Sequence, residues 1–293
     1  MWCLFFHTVT NNKIILFTAH FVNYNVKNHQ YLPIYMEKYA VSSDGQRIHY
    51  KESGSGNTTL IFIHGWLGNT AWWDIQQKYL NSKYHIVQMD LAGHGKSGYS
   101  RKEWTSAGYA DDIKAVADAV NSNEIILVGH SMSGAYVLEA SLKIPRVKAL
   151  ILIDTMKNME EYFTPEQAEE VLSQYKNDFK YTVENILPQF LFADDTPPAV
   201  KERVQSEFLQ HEPELAINAL RPLYKTDFRP FAKQIQIPVT AINSDTSPTH
   251  LENNRKYFKT YDYVTIKGVG HYPMLERPDE FNAILDKVIQ KLI

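Results

Sequence analysis

Short apolar runs recur along this chain and alternate with longer stretches of helical period. The runs at 59–64, 84–89, 124–129, 147–153, 237–242 and 262–267 are rich in Ile, Val and Leu, and each reads as a buried strand. Between them the apolar positions repeat every three or four residues. In 107–121, Tyr109, Ile113, Val116, Ala117 and Val120 form one stripe, and in 278–292, Phe281, Ile284, Leu285, Val288 and Ile289 do the same. Upstream, Tyr39-Ala40-Val41 and Arg47-Ile48-His49-Tyr50 flank Ser43-Asp44-Gly45, which predicts a hairpin at a sheet edge. The alternation predicts an α/β fold: a mostly parallel, doubly wound sheet of about eight strands.

The pattern breaks between Asp154 and Ile237, where about 80 residues carry no strand signal. Thr164-Pro165-Glu166-Gln167 combines a capping box with proline at the first helical position. Thr196-Pro197 and Glu212-Pro213 start further helices, so roughly four are expected. Residues 155–230 thus read as a helical cap inserted into a core of 36–154 and 231–293. Its apolar residues include Phe163, Tyr175, Phe179, Leu187, Phe190, Leu191, Phe192, Phe208 and Leu220. Most belong to the cap's own core and a few face the sheet; Phe163 and Phe190 are the expected pocket walls.

Residues 1–35 read as a leader or extension. Their apolar runs, 1–6 and 14–17, are divided by Asn11, Asn12 and Lys13. Neither approaches the ~18 apolar residues of a spanning helix. No basic stretch ahead of an apolar core and no small-x-small cleavage site is clear. Met36 is the expected start of the folded part, with a targeting leader as the alternative.

Composition narrows the function classes. The chain of 293 residues is 44% hydrophobic and 22% charged, with net charge −3 and scattered basic residues. No nucleic-acid footprint is visible. Cys3 is the one cysteine, so no intrachain disulfide forms, which fits a reducing, cytoplasmic setting. No zinc-ligand spacing, phosphate loop or dinucleotide fingerprint is present, so no metal or organic cofactor is expected. No nucleic-acid partner and no stable membrane insertion are expected. Of the eleven histidines, His49, His85 and His211 read as surface or satisfied core residues. Arg101-Lys102-Glu103 reads as a solvated loop without a role.

The chemistry concentrates at Gly129-His130-Ser131-Met132-Ser133-Gly134. It follows the run 125–128 and precedes a helical stretch, and a serine on a sharp strand-to-helix turn is a nucleophile elbow. The turn lifts Oγ clear of the backbone, and the helix N-terminus supplies unpaired N–H groups. The second small position of G-x-S-x-G is Ser133, itself the rival nucleophile. It lacks glycine two residues before it and should lie inside the helix, so Ser131 is preferred.

Three further motifs stand in order around the elbow: His64-Gly65-Trp66 after a strand, Asp90-Leu91-Ala92-Gly93-His94-Gly95-Lys96-Ser97, and Gly268-Val269-Gly270-His271 near the end. Together the four resemble the α/β-hydrolase superfamily of serine esterases and lipases over roughly residues 37–293. The resemblance implies His271 as the base, backbone N–H groups of Trp66 and Met132 as the oxyanion hole, and an acid between Ser131 and His271 in the chain. It also implies structural places for His64, His94 and His130. Both Asp245, after 238–242, and Asp154, after 150–153, satisfy the order. Asp245 lies on the strand end where the family usually carries its acid, and is the expected partner of His271, with Asp154 as the alternative. The implied activity is hydrolysis of a small carboxylic ester through an acyl-enzyme. Serine at 131 argues against epoxide hydrolase and haloalkane dehalogenase chemistry. C–C, amide or lactone hydrolysis, perhydrolysis, and a receptor-like ligand-binding role are the alternatives on the same scaffold.

Overall fold

The computed structural model describes residues 35–293, together with the two-residue strands Val9–Thr10 and Lys13–Ile14, which pair antiparallel. The reading of 1–35 as a leader lies outside the described residues. The main sheet has eight strands: β1 (Met36–Val41), β2 (Arg47–Ser53), β3 (Thr58–Ile63), β4 (His85–Met89), β5 (Glu124–His130), β6 (Val147–Ile153), β7 (Val239–Ser244) and β8 (Tyr261–Ile266). Their order is β8-β7-β6-β5-β3-β4-β2-β1. The hairpin β1–β2 runs antiparallel at one edge, β2 pairs antiparallel with β4, and every other neighbour is parallel.

Burial explains why the strands were legible. A parallel strand covered on both faces needs a continuous apolar run, and all six residues of β3 are buried, as are Ile125 to His130 of β5. Helices α1 (Asp74–Leu80), α2 (Ser106–Ala119) and α3 (Met132–Lys143) follow β3, β4 and β5. The Thr105 side chain caps α2 by accepting from Gly108 N.

Between β6 and β7 the chain forms a helical insertion with α4 (Pro165–Asn177), an irregular helical run over 179–191, α5 (Pro198–Phe208) and α6 (Pro213–Lys225). The capping box at Thr164 is formed as its spacing predicts. After Thr196-Pro197 the helix begins at Pro198. The final helix, α7 (Pro278–Leu292), carries Asp279 and Glu280 in its first turn, where the helix dipole favours negative charge. α7 lies against α1, with Gln76 Nε2 donating to Asn282 Oδ1 at 2.9 Å.

Two expectations are corrected. Phe163 and Phe190 are not turned inward as pocket walls would be but face solvent: they are 46% and 71% exposed, and Phe163 packs edge-to-face on Tyr224. Arg101 is not solvated. Its guanidinium donates to Asp112 of α2 and to Asp44 of the β1–β2 turn, each at 2.6 Å, tying hairpin to helix. Lys102 and Glu103 beside it are exposed. His49 Nδ1 lies 2.7 Å from Asp90 Oδ2, and His85 Nε2 lies 2.8 Å from Glu52 Oε1.

Candidate active site

The elbow forms where β5 ends and α3 begins. Ser131 is held at φ 53°, ψ −120°, a region that costs an L-residue on the order of 1–3 kcal/mol. Its amide donates to Ile153 O at 3.0 Å, fastening the turn to the end of β6. The turn leaves no room on either side. A Cβ on Gly129 would lie 2.9 Å from Ser133 O, and one on Gly134 would lie 2.2 Å from Thr155 Cγ2. Ser133 is tolerated because its side chain points away from the site: Oγ lies 2.9 Å from the carbonyls of both Ile63 and His130. It is fully buried, whereas Ser131 is partly exposed.

His271 meets this serine from the loop after β8. Its Nε2 lies 2.7 Å from Ser131 Oγ. The loop is gripped by Glu276, a residue to which the motif reading assigned nothing. One carboxylate oxygen accepts from Gly270 N at 2.8 Å and the other from Tyr272 N at 3.0 Å, so Glu276 straddles His271. The insertion grips the same loop: Thr196 Oγ1 donates to Glu276 at 2.6 Å, and His271 N donates to Leu191 O at 2.8 Å. Gly270 is required by this approach, because a Cβ there would sit 2.5 Å from Leu191 O.

The structure does not bring Asp245 to His271. The other ring nitrogen, Nδ1, lies 2.7 Å from Asp154 Oδ2. Asp154 ends β6 at φ 46°, a left-handed turn that aims its carboxylate back along the strand ends. Its Oδ1 accepts from Ser244 N at 2.7 Å and from Lys157 Nζ at 2.9 Å. Ser244, the last residue of β7, therefore serves Asp154, and the chain then carries Asp245 outward. Asp245 is exposed and accepts from Gly268 N at 2.8 Å, so it braces the histidine loop from outside. Burial pushes the Asp154 carboxyl up, but the hydrogen bond and charge of His271 and the Lys157 ammonium outweigh it and hold it well below the usual carboxylate range.

The amides of Trp66 and Met132 donate to no backbone acceptor among the described residues. Met132 is the first residue of α3, where the helix dipole adds to the field. The Trp66 ring stands against the insertion, packed edge-on to Tyr175, Phe179 and Phe208 with centroids 5.3, 6.3 and 5.2 Å away. Its indole N–H donates to Ala216 O of α6 at 2.8 Å. Trp72 and Trp73 are fully buried, and Trp72 donates to Glu207 of α5. Burial, followed by the charge of His271, pushes His130 down to about 3, so it is a neutral donor to His271 O at neutral pH. Burial likewise lowers His64 and His94. Among the described residues no group of three or more His, Cys, Asp or Glu side chains could hold a metal ion, and no helix is long and apolar enough to cross a membrane.

The arrangement is therefore a strained serine beside an imidazole, the imidazole beside a buried carboxylate, and two amides without a backbone acceptor, one in the turn after β3 and one at the start of α3. Comparison with known proteins points the same way. The family model of the alpha/beta hydrolase family matches residues 60–284. The chain is 24% identical to strigolactone esterase D14 of Arabidopsis thaliana, over 81% of this chain and 94% of that one. It is 27% identical to the pimeloyl-[acyl-carrier protein] methyl ester esterase of Wigglesworthia glossinidia brevipalpis, over 81% and 96%. A thermophilic esterase from Thermogutta terrifontis shares the fold with a TM-score of 0.76 and 20% identity, over 87% of this chain and 98% of that one. With eight strands in this order, the elbow between β5 and α3 and a family match over most of its length, the chain belongs to the alpha/beta hydrolase family.

Proposed function

We propose that the protein is a serine esterase that cleaves a small carboxylic ester through an acyl-enzyme, with Ser131 as nucleophile, His271 as base and Asp154 as acid. The observation that carries this reading is the chain of two 2.7 Å contacts from Ser131 Oγ through His271 to Asp154. Ser131 Oγ attacks the ester carbonyl carbon while His271 Nε2 takes its proton. The negative charge gathers on the carbonyl oxygen, facing the amides of Trp66 and Met132. Collapse breaks the ester C–O bond, and His271 returns the proton to the departing alkoxide. A water then repeats the sequence on the acyl-enzyme, releasing the acid and restoring Ser131. Asp154 holds the imidazole tautomer and stabilises the imidazolium. The aromatic group of Trp66, Tyr175, Phe179 and Phe208 fits a small apolar acyl or alcohol group.

A fluorophosphonate probe and short-chain nitrophenyl esters test the reading. Covalent labelling and steady turnover, both abolished in Ser131→Ala, are expected. Labelling that survives the substitution overturns Ser131 as nucleophile. A burst without steady turnover overturns the esterase and leaves a ligand-binding hydrolase.

A further inference from the structure

Lys157 is the cation in the site to which the proposed chemistry gives no part. It lies three residues after Asp154, beyond a turn in which Asp154 and Met156 both have positive φ, 46° and 50°. The turn folds the side chain back over the acid. Nζ sits 2.9 Å from Asp154 Oδ1 and also reaches Ser244 Oγ at 3.0 Å, Ser244 O at 3.2 Å and Thr246 Oγ1 at 3.3 Å. The Lys157 and Asp154 side chains are only 14% and 4% exposed. Solvent screening of the pair is therefore weak.

We propose that Lys157 is a positioning residue that clamps the Asp154 carboxylate and, through its charge, sets the basicity of His271. This deepens the esterase reading and rests on its assignment of Asp154 and His271. Asp154 already has one neutral donor on Oδ1, the Ser244 amide. Lys157 is a second donor to the same oxygen and, unlike the amide, brings a full positive charge to it. A buried carboxylate with no counter-charge draws the proton onto the imidazole. An imidazole that keeps its proton cannot accept one from serine. The ammonium offsets part of that pull.

The other groups facing His271 are accounted for. His130, with its ring centroid 4.9 Å away, is neutral and hydrogen-bonded to His271 O, and the Tyr272 ring lies at 5.3 Å. Glu276 binds the amides on either side, Asp245 binds Gly268 N, and Arg277 donates to Lys267 O and Gly268 O. None of these groups is hydrogen-bonded to Lys157 Nζ, whose contacts are to Asp154, Ser244 and Thr246, so comparing Lys157→Arg with the neutral variants separates charge from tethering.

The test is the pH dependence of kcat/KM on a nitrophenyl ester for the full chain, for the neutral variants Lys157→Met and Lys157→Gln, and for Lys157→Arg. In parallel, the His271 ring proton is titrated by NMR and assigned with His271→Gln. Both neutral variants should move the acid limb and the NMR midpoint up by roughly one pH unit. Lys157→Arg should stay near the wild type. If Lys157→Met fails to fold for want of its tethers, Lys157→Gln, which keeps a donor, decides alone. A limb that does not rise in the neutral variants, or one that rises as far in Lys157→Arg, overturns the proposal. A wild type without Ser131-dependent turnover overturns the esterase reading instead, and the NMR midpoints still decide the role of Lys157.

Discussion

The Trp66 indole N–H donates to the Ala216 carbonyl at 2.8 Å, so the residue whose amide is proposed to meet the oxyanion is tied by its own side chain to α6. Backbone and side chain of one residue thereby couple the turn after β3 to the helical insertion. Trp66→Phe keeps the backbone amide but removes this bond together with part of the buried indole's packing on Tyr175, Phe179 and Phe208. A loss of at least about 1 kcal/mol in stability is expected, the usual worth of one hydrogen bond, with a cavity cost added to it. Turnover should fall severalfold as the turn loosens. Denaturant unfolding together with kcat measures both, and unchanged values would show that the bond does not fasten the turn.

The two aspartates make opposite predictions. Asp154→Asn should lower kcat on the order of 10⁴-fold, because the amide stabilises the wrong imidazole tautomer. Asp245→Asn still offers an oxygen to Gly268 N and should stay within about tenfold of the wild type. Steady-state kinetics on one ester suffices. A crippled Asp245→Asn beside a healthy Asp154→Asn would reverse the assignment.

Acid should destabilise the fold through its buried neutral histidines. His130 titrates near about 3 when folded, against the ordinary histidine value of 6.5. Between those values the unfolded chain binds a proton that the folded chain does not, so stability falls as pH falls across that window. Each such residue contributes a slope of at most about 1.4 kcal/mol per pH unit. Urea midpoints from pH 7 to 4 should show this decline, and His130→Gln, which keeps a donor toward His271 O, should flatten it by one proton. An unchanged slope would mean that His130 is charged in the folded state.

Substrate preference should follow the aromatics around Trp66 and not those on the outer surface. Phe179 is 8% exposed and packs on the Trp66 ring. Phe179→Leu should raise kcat/KM for longer acyl chains relative to acetate by about tenfold. Phe190→Ala should leave the series flat and stability within about 0.5 kcal/mol. An acyl-length series on the two variants checks this, and a uniform loss in both would indicate misfolding.

The strands were legible because burial on both faces demands unbroken apolar runs, and β3, β5 and β6 comply. The elbow at Ser131 was legible because it is a local device, its crowding written into the residues beside it. Which aspartate meets His271 was not. Asp154 and Asp245 each follow a strand, and β6 and β7 are neighbours, so the choice was made in space by the positive φ at Asp154 and by Ser244 and Lys157 converging on one oxygen. Arg101 was misread for a similar reason. A charged triplet reads alike in water and against a buried aspartate eleven residues on. Glu276 lies five residues after His271, but its work appears only when the short helix Pro273–Glu276 folds back on the loop.

The contacts from Leu191 O to His271 N and from Thr196 to Glu276 bear on how such enzymes can be recombined. By strand topology the insertion between β6 and β7 is a cassette, to be cut out at its ends and exchanged with that of a relative. Physically the segment 191–196 belongs with the histidine loop, since it supplies an acceptor to His271 and a donor to the glutamate straddling it. A chimera cut by topology would import a foreign partner for the proposed base, whereas one that retains 191–196 and exchanges α4 alone would change the helix whose Tyr175 packs on Trp66 and leave the His271 loop held as it is.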